Sequence, residues 1–180
     1  MAFNELDQGD LERLESDAGD FGDTLEVSFV PKGEQRIQVN VAEKCLLGAR
    51  FRLPPSNEQE PAGEPVGIVC LKSNPPHLAH HRWTDISIDV AREHRGKGYG
   101  AEAIRWALWY SFQITGLHRV QLGAFSVNGG AMKLYEKLGF QEEGRQRNWM
   151  WFNGGWHDHV LYGMLEDEWW DMQRKAGKKV

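Results

Sequence analysis

The 180-residue sequence has little cysteine, no long apolar run and no excess of positive charge. Its two cysteines, Cys45 and Cys70, are too few for a disulfide framework and show no metal-binding spacing. No apolar run reaches about 18 residues, and the first 20 residues are acidic rather than signal-like. The formal net charge of -5 gives no indication of nucleic-acid binding. We therefore expect a cytoplasmic protein with neither a nucleic-acid nor a membrane partner.

The sequence does contain enough apolar material for a folded core. Hydrophobic residues make up 41% of the chain, and the 8 tryptophans can each bury a large area. A chain of this length most often forms one domain, so we predict a single domain over residues 1–180.

Periodicity predicts a mixed α/β chain in which strands come first and helices follow. Strands are predicted at residues 24–30, 35–41, 46–53, 66–71, 83–90, 119–125 and 160–165, and residues 140–147 with 149–152 are predicted to form a further strand. Helices are predicted at 101–115 and at 129–138, where Asn128 can cap the helix and Gly139 can end it. The sequence "NGG" at 153–155 is typical of a hairpin turn.

A glycine-rich stretch, Arg95-Gly96-Lys97-Gly98-Tyr99-Gly100, joins the strand at 83–90 to the first predicted helix. Glycines at a helix start let an anion approach backbone N–H groups that have no intrahelical partner, and the helix dipole favours negative charge there. Arg95 and Lys97 add positive charge. Taken alone, the stretch is equally compatible with a phosphate cradle and with a simple connecting turn.

The spacing of this stretch disfavours two common phosphate-binding loops. Lys97 is followed by Gly98, whereas a nucleotide-hydrolysing loop needs Ser or Thr there to hold a metal ion. The glycines follow the pattern G-x-G-x-G, which departs from the G-x-G-x-x-G fingerprint of dinucleotide-binding folds.

Two motifs in order resemble the GNAT superfamily of N-acetyltransferases. The acyl-CoA signature of that family, R/Q-x-x-G-x-G/A, is matched at residues 95–100, and a second family stretch is matched by "NGGAMKLYEKLGF" at 128–140. The resemblance covers roughly residues 66–170, and its C-terminal part is similar to the branch that acetylates ribosomal-protein N-termini and small amines, with its fungal members. It implies that residues 66–170 form an acyl-CoA-binding core and that 1–65 form an atypical acceptor side.

The resemblance also implies a fold and a donor. The expected fold is a mostly antiparallel twisted sheet with helices on both faces and a splayed central strand pair, and the expected cosubstrate is acetyl-CoA. Backbone groups of the strand at 86–90 would pair with the pantetheine arm, while the glycine turn would hold the pyrophosphate. The residues expected to bind acetyl-CoA are Ile88, Asp89, Val90, Arg95, Gly96, Lys97, Gly98, Tyr99, Gly100, Asn128 and Ala131.

Two catalytic residues are expected from the same resemblance. Tyr135 matches the family tyrosine that donates to the CoA sulfur, although a tyrosine that only packs against the sheet is the alternative. Asp85 occupies a strand position where many members carry an acidic residue near the acceptor, although it could instead be solvated or paired with an arginine. Asp89, His157 and Asp158 are further candidates for the base. A backbone N–H of the strand would polarise the carbonyl.

The acceptor side is expected to include Trp83, Trp149 and Trp151, which could hold an amine by cation–π contact or could simply cover the sheet. No metal is expected, because the histidines at 77, 80, 81, 157 and 159 have no carboxylate or cysteine at diagnostic spacing.

The sequence thus predicts an N-acetyltransferase that moves an acetyl group from acetyl-CoA to a primary amine in a ternary complex. The amine would be a small molecule, an amino acid or polyamine, or a protein N-terminus. A non-catalytic acyl-CoA-binding sensor or scaffold is the alternative, and it would need neither Tyr135 nor Asp85. A homodimer is expected only by analogy with the family.

Overall fold

A computed structural model describes residues 2–4, 45–54 and 63–177. The strands predicted at 24–30 and 35–41 lie outside the described residues. In chain order the strands are β1 (Ala2–Asn4), β2 (Cys45–Arg52), β3 (Pro65–Lys72), β4 (Trp83–Val90), β5 (Arg119–Phe125), β6 (Gln141–Phe152) and β7 (Gly155–Leu165). The helices are α1 (Tyr99–Trp109), α2 (Gly129–Lys137) and α3 (Glu166–Lys175).

The mixed α/β class predicted from the sequence is confirmed. β4 and β5 pair in parallel, and the other described strand pairs are antiparallel. The chain forms two compact units, one from Met1–Ser73 with Ile86–Ile104 and one from Asn74–Asp85 with Arg105–Val180. β4 and α1 each run along the chain from one unit into the other. The single-domain organisation stays a prediction.

The first unit contains the strands in the order β1-β2-β3-β4, all antiparallel. Its core is built on Phe51, Val66 and Ala103, which have no exposed area. Ile88 and Val90 of β4 pack against them, as does the ring of Tyr99 in the first turn of α1. Full burial of a side chain such as Phe51 contributes about 1.5–3 kcal/mol, so this packing fixes the end of β4 and the start of α1.

The second unit contains the strands in the order β4-β5-β7-β6. Only Trp83, Thr84 and Asp85 of β4 pair with β5. Alternate residues of β5 and β7 are buried, as the period of a strand requires. These buried residues are Val120, Leu122, Ala124, Val160, Tyr162 and Met164.

Local sequence signals explain the ends of several elements. The Asn128 side chain accepts a hydrogen bond from the Ala131 N–H at 3.0 Å and caps α2, as predicted. Gly139 takes a φ of 94° just after α2, a conformation that favours glycine. Asn153 and Gly154 have φ values of 47° and 79°, which confirms the predicted hairpin turn between β6 and β7.

Two elements differ from the prediction. The helix predicted at 101–115 is α1 followed by a π-helical turn at Tyr110–Ile114. The strand predicted over 140–147 and 149–152 is confirmed as β6, with an irregularity at which Asn148 takes a φ of 50°. α3 was not predicted. No helix in the described ranges is both long and apolar enough to cross a membrane.

Candidate functional site

The glycine turn presents backbone rather than side chains. Gly96 and Gly98 have φ values of 74° and 92°, which L-residues rarely adopt. Apart from their chain neighbours, no atom of the described residues lies within 4 Å of the position a Cβ would take at either glycine. The N–H of Glu102 donates to the carbonyl of Gly98 at 3.2 Å, so the first turn of α1 begins there. N–H groups at the start of a helix have no intrahelical acceptor, and here they lie beside two residues without side chains. This arrangement suits a phosphate group.

Two side chains hold the turn in place through contacts with residues that precede it in the chain. His94 is 5% exposed, its Nε2 lies 3.2 Å from Glu64 Oε1, and its ring meets Tyr99 edge-on. Arg95 donates from Nε to the carbonyl of Val90 at 2.9 Å, and its terminal nitrogen lies 3.9 Å from Asp89. The first contact connects the turn to the residue that precedes β3, and the second connects it to the end of β4.

The two predicted cations of the turn therefore differ in their surroundings. Lys97 is exposed, so its ammonium group can reach an anion in solution. The guanidinium of Arg95 is half-buried and already donates to β4. We infer that Arg95 acts first on the shape of the turn and that Lys97 supplies the mobile charge.

The β4 residues predicted to face acetyl-CoA belong to a strand that changes partner along its length. The register with β5 ends at Asp85, and Ile86–Val90 are in register with β3. The side chains of Ile88 and Val90 pack on the core of the first unit, so any contact with a ligand from these residues would come from their backbone groups.

Tyr135 lies on α2 and is 7% exposed. Its ring meets Tyr162 edge-on at a centroid distance of 5.7 Å and lies 6.2 Å from the ring of Phe140. Burial, together with the nearby Tyr162, raises the pKa of Tyr135 to about 12. The phenol therefore stays protonated at neutral pH and can donate its hydrogen. Asn128 and Ala131, also predicted to bind the donor, are hydrogen-bonded to each other at the start of α2.

Asp85 is half-buried at the last residue pair between β4 and β5. Its Oδ1 accepts a hydrogen bond from Gln121 Nε2 at 3.0 Å. Gln121 in turn accepts from Arg119 Nε at 3.1 Å, and Arg119 makes a two-pronged pair with Glu143 on β6. Among the described residues, Asp85 is thus linked to an arginine through a glutamine and not by a direct pair.

The tryptophans of the hairpin fall into two groups. The ring of Trp149 is tilted against those of Phe125, at a centroid distance of 5.6 Å, and His159, at 5.3 Å. Trp151 meets Trp156 edge-on across the hairpin at 5.4 Å. Trp149, Trp151 and Trp156 are 56%, 60% and 58% exposed, so all three lie largely at the surface. Trp83 is half-buried at the start of β4.

The remaining candidates near the hairpin have structural partners. Asp158 accepts a hydrogen bond from the Asn148 N–H at 3.0 Å, and its own N–H donates to Ser126 Oγ at 3.0 Å. His157 Nε2 lies 3.2 Å from the carbonyl of Phe152. Asp158 therefore stabilises the irregularity of β6, which makes it a weaker candidate for the base than Asp85.

One group of side chains in the described ranges has metal-ligand proximity, and it includes none of the histidines considered from the sequence. The ligand atoms of Glu64, Glu93 and His94 lie within 4.8 Å of one another. Both carboxylates are exposed, and the imidazole is already hydrogen-bonded to one of them. We assign no metal to this group, because the contacts are those of an ordinary imidazole–carboxylate pair.

Sequence reasoning missed His94, Gln121, Arg119 and His159. The first two act through contacts between distant segments, 30 residues apart for His94 and Glu64 and 36 for Gln121 and Asp85. A signal did exist for the β5 pair, because Arg119 and Gln121 alternate with buried apolar residues and must share one face of the strand. Burial lowers the pKa of His159, so its ring is neutral beside Trp149.

The amino-acid sequence of this chain is similar to those of known proteins. A model of the acetyltransferase (GNAT) family matches residues 32–140. The spermidine N(1)-acetyltransferase of Vibrio cholerae is 41% identical over 78 residues, which is 43% of this chain and 45% of that protein. A putative ribosomal N-acetyltransferase of Bacillus subtilis is 36% identical over 89 residues, or 49% of each chain. The chain spans about half the length of these curated relatives.

A solved structure is similar over nearly the whole chain. The spermidine N-acetyltransferase from Vibrio cholerae in complex with CoA and spermine has a TM-score of 0.74 and 27% sequence identity. The superposition covers 94% of this chain and 97% of that one. The fold class is therefore the one found in this group of acetyltransferases.

Proposed function

The chain belongs to the GNAT family of acetyltransferases, and from this premise we propose that it transfers an acetyl group from acetyl-CoA to a primary amine. The observation that carries the proposal is the turn at 95–100, in which two glycines with positive φ leave the N-terminus of α1 open to an anion. Acetyl-CoA carries a pyrophosphate that this turn suits.

The donor would be held by the residues named from the sequence. We propose that the N–H groups from Gly96 to Gly100 bind the pyrophosphate and that Lys97 adds its charge. Backbone groups of Ile88 and Val90 would bind the pantetheine arm, since in the described residues β4 has no register with β5 beyond Asp85. Asp89 and Tyr99 would support this segment through the Arg95 contact and the core packing.

Tyr135 would stabilise the sulfur that leaves. A phenol with a pKa of about 12 is a far weaker acid than a thiol of pKa about 8.5, by a factor of more than about a thousand. Tyr135 therefore serves better as a hydrogen-bond donor to the thiolate than as the final source of its proton. A buried donor aimed at a developing negative charge stabilises it more than water does, because it needs no reorganisation.

Asp85 would accept the proton of the acceptor ammonium, directly or through a water molecule. An ammonium acceptor loses two protons overall. The first passes to Asp85 and then to solvent, and the second, lost as the nitrogen bonds to the acetyl carbon and the carbon–sulfur bond breaks, balances the thiol that is released. An ammonium group cannot attack a carbonyl, so a carboxylate that accepts the first proton allows the neutral amine to react. In the described part of the chain the hydrogen bond from Gln121 reaches Oδ1, which supports this role because Oδ2 can then accept the proton.

The acceptor would be a cationic amine, either a polyamine or the N-terminus of a protein. The relatives that support this choice are named a spermidine N(1)-acetyltransferase and a putative ribosomal N-acetyltransferase. The net charge of -5 favours the approach of a cation, and the exposed ring of Trp149 offers it a cation–π contact. Trp83 and Trp151 would complete the acceptor side. We further propose a single-domain, cytoplasmic enzyme that can form a homodimer.

A panel assay tests the proposal. The protein is incubated with acetyl-CoA and a series of amines that includes spermidine, amino acids and N-terminal peptides, while free thiol is measured. Amine-dependent thiol release supports the proposal. Tight acetyl-CoA binding with no release across the panel would indicate a sensor instead. A ligand present at about 100 times its dissociation constant adds about 2.7 kcal/mol of stability. If CoA at about 100 times a micromolar dissociation constant gave no thermal shift, the turn would hold no ligand.

A further inference from the structure

We infer that Gln121 and Arg119 are positioning residues that hold the carboxylate of Asp85 in the orientation needed to accept the proton of the acceptor amine. The inference rests on the proposed function, because it assumes that Asp85 is the base. It adds two residues of β5 that the sequence motifs do not include.

The hydrogen bonds form one line across three strands of the second unit. Glu143 on β6 binds both terminal nitrogens of Arg119. Arg119 Nε donates to Gln121 Oε1 at 3.1 Å, and Gln121 Nε2 donates to Asp85 Oδ1 at 3.0 Å. The line ends at the last residue pair between β4 and β5.

Chemistry fixes the direction of every bond in this line. A guanidinium group can only donate, so the atom of Gln121 that faces Arg119 must be its oxygen. The amide nitrogen of Gln121 must then face Asp85, where it donates to a carboxylate oxygen. A glutamine without the arginine could rotate by half a turn and present its oxygen to Asp85, which would repel the carboxylate. Arg119 therefore selects the useful orientation of the amide.

The arginine itself is held firmly. The two-pronged bond to Glu143 fixes the plane of the guanidinium. The same bond, with smaller contributions from Asp85 and Glu168, raises the pKa of Arg119. The cation is thus a permanent neighbour of this segment.

The consequence for Asp85 is a carboxylate with one oxygen bound and the other available. Within the described residues, the hydrogen bond to the Asp85 side chain is made at Oδ1. The bound oxygen restricts rotation of the side chain, so Oδ2 keeps one direction. A fixed proton acceptor reacts faster than a mobile one because less conformational entropy is lost on reaching the transition state.

A purely structural role for the same bonds would give a different result from a positioning role. Cross-strand pairs stabilise a sheet whatever the chemistry beside them, so their loss lowers thermal stability and leaves turnover per folded molecule unchanged. A positioning role appears in kcat, and only while Asp85 is present.

A double-mutant cycle separates the two roles. Gln121→Leu, Asp85→Asn and the double variant are compared for kcat, for KM of acetyl-CoA and for thermal stability, with spermidine or the best amine of the panel as acceptor. We expect Gln121→Leu to lower kcat about 10- to 100-fold with KM of acetyl-CoA unchanged. Added to Asp85→Asn, it should have no further effect on kcat. Gln121→Glu, which keeps the size and removes the donor, should reproduce the loss.

The control is Arg174→Gln on α3, which breaks an exposed ion pair with Asp171 far along the chain from the site and should leave kcat unchanged. An equal loss from Gln121→Leu in both backgrounds, or no loss from either Gln121 variant, would overturn the positioning role. Full turnover in Asp85→Asn would instead overturn Asp85 as the base, and with it the inference.

A measurement that does not depend on turnover separates failure of this inference from failure of the proposed function. In NMR spectra one side-chain amide proton of Gln121 should be shifted by its bond to the carboxylate and should lose that shift in Asp85→Ala. If Asp85→Ala loses the shift but the wild type transfers no acetyl group, the hydrogen bond exists and the proposed function is wrong. An unchanged resonance would overturn the inference itself.

Discussion

The hydroxyl of Tyr135 allows a quantitative test of how the departing sulfur is stabilised. Within the described residues the hydroxyl has no hydrogen-bond partner, while the ring is buried against Tyr162 and Phe140. Tyr135→Phe therefore removes one oxygen and leaves the packing intact. We expect kcat to fall about 10²- to 10³-fold, as for the loss of one hydrogen-bond donor to a developing negative charge, with KM of acetyl-CoA nearly unchanged.

The raised pKa of Tyr135 adds a stability test at high pH. The pKa in the folded protein is about 12, against an ordinary value of 10.0. Because the folded value is the higher one, the stabilisation by the neutral phenol is complete below pH 10 and is lost as the pH rises through 12. The loss amounts to at most about 3 kcal/mol. Between pH 10 and 12 the unfolding temperature of the wild type should therefore fall more steeply than that of Tyr135→Phe.

The kcat measurement has a matched tyrosine as its control. Tyr110 is half-buried beside Trp106, and Tyr110→Phe should leave kcat unchanged. Wild-type kcat in Tyr135→Phe would remove Tyr135 from the mechanism. Equal slopes for Tyr135→Phe and the wild type would contradict the account of its burial.

Three further predictions concern the donor side. Gly96→Ala should destabilise the turn by about 1–2 kcal/mol through its positive φ and weaken acetyl-CoA binding in calorimetry; unchanged affinity would show that the turn is not the cradle. Lys97→Gln should weaken acetyl-CoA binding most at low salt without changing thermal stability. Arg95→Gln should lower both acetyl-CoA affinity and thermal stability, and identical behaviour of the two variants would contradict their different surroundings. Asn128→Ala should cost about 0.5–2 kcal/mol in denaturant unfolding, with recovery in Asn128→Ser.

The elements that the sequence predicted well are those with local signals. Alternation predicted β4 and β5, the side chain of Asn128 predicted the start of α2, and "NGG" predicted the hairpin turn. α3 was missed because its cap residue is Leu165, which cannot accept a side-chain hydrogen bond. Glu168 instead accepts from the Leu165 N–H at 2.8 Å, and the acidic first turn with a basic last turn was the available signal.

The candidate site divides in the same way. The glycine turn is a local feature, so its open backbone was predictable from alternate glycines at the start of a helix. The partner of Asp85 was not, because Gln121 reaches it only through the parallel register of β4 and β5, which no short stretch of sequence determines. The behaviour of Arg95 also depended on the path of the chain, since its bond to Val90 closes a turn of five residues.

The central claim is that the protein moves an acetyl group from acetyl-CoA to an amine. The most direct measurement is mass spectrometry of the amine after incubation with acetyl-CoA and the wild-type protein, beside Tyr135→Phe under the same conditions. We predict an amine heavier by one acetyl group, formed in step with free CoA and more slowly with the variant. An unmodified amine across the whole panel, with acetyl-CoA bound and intact, would contradict the account.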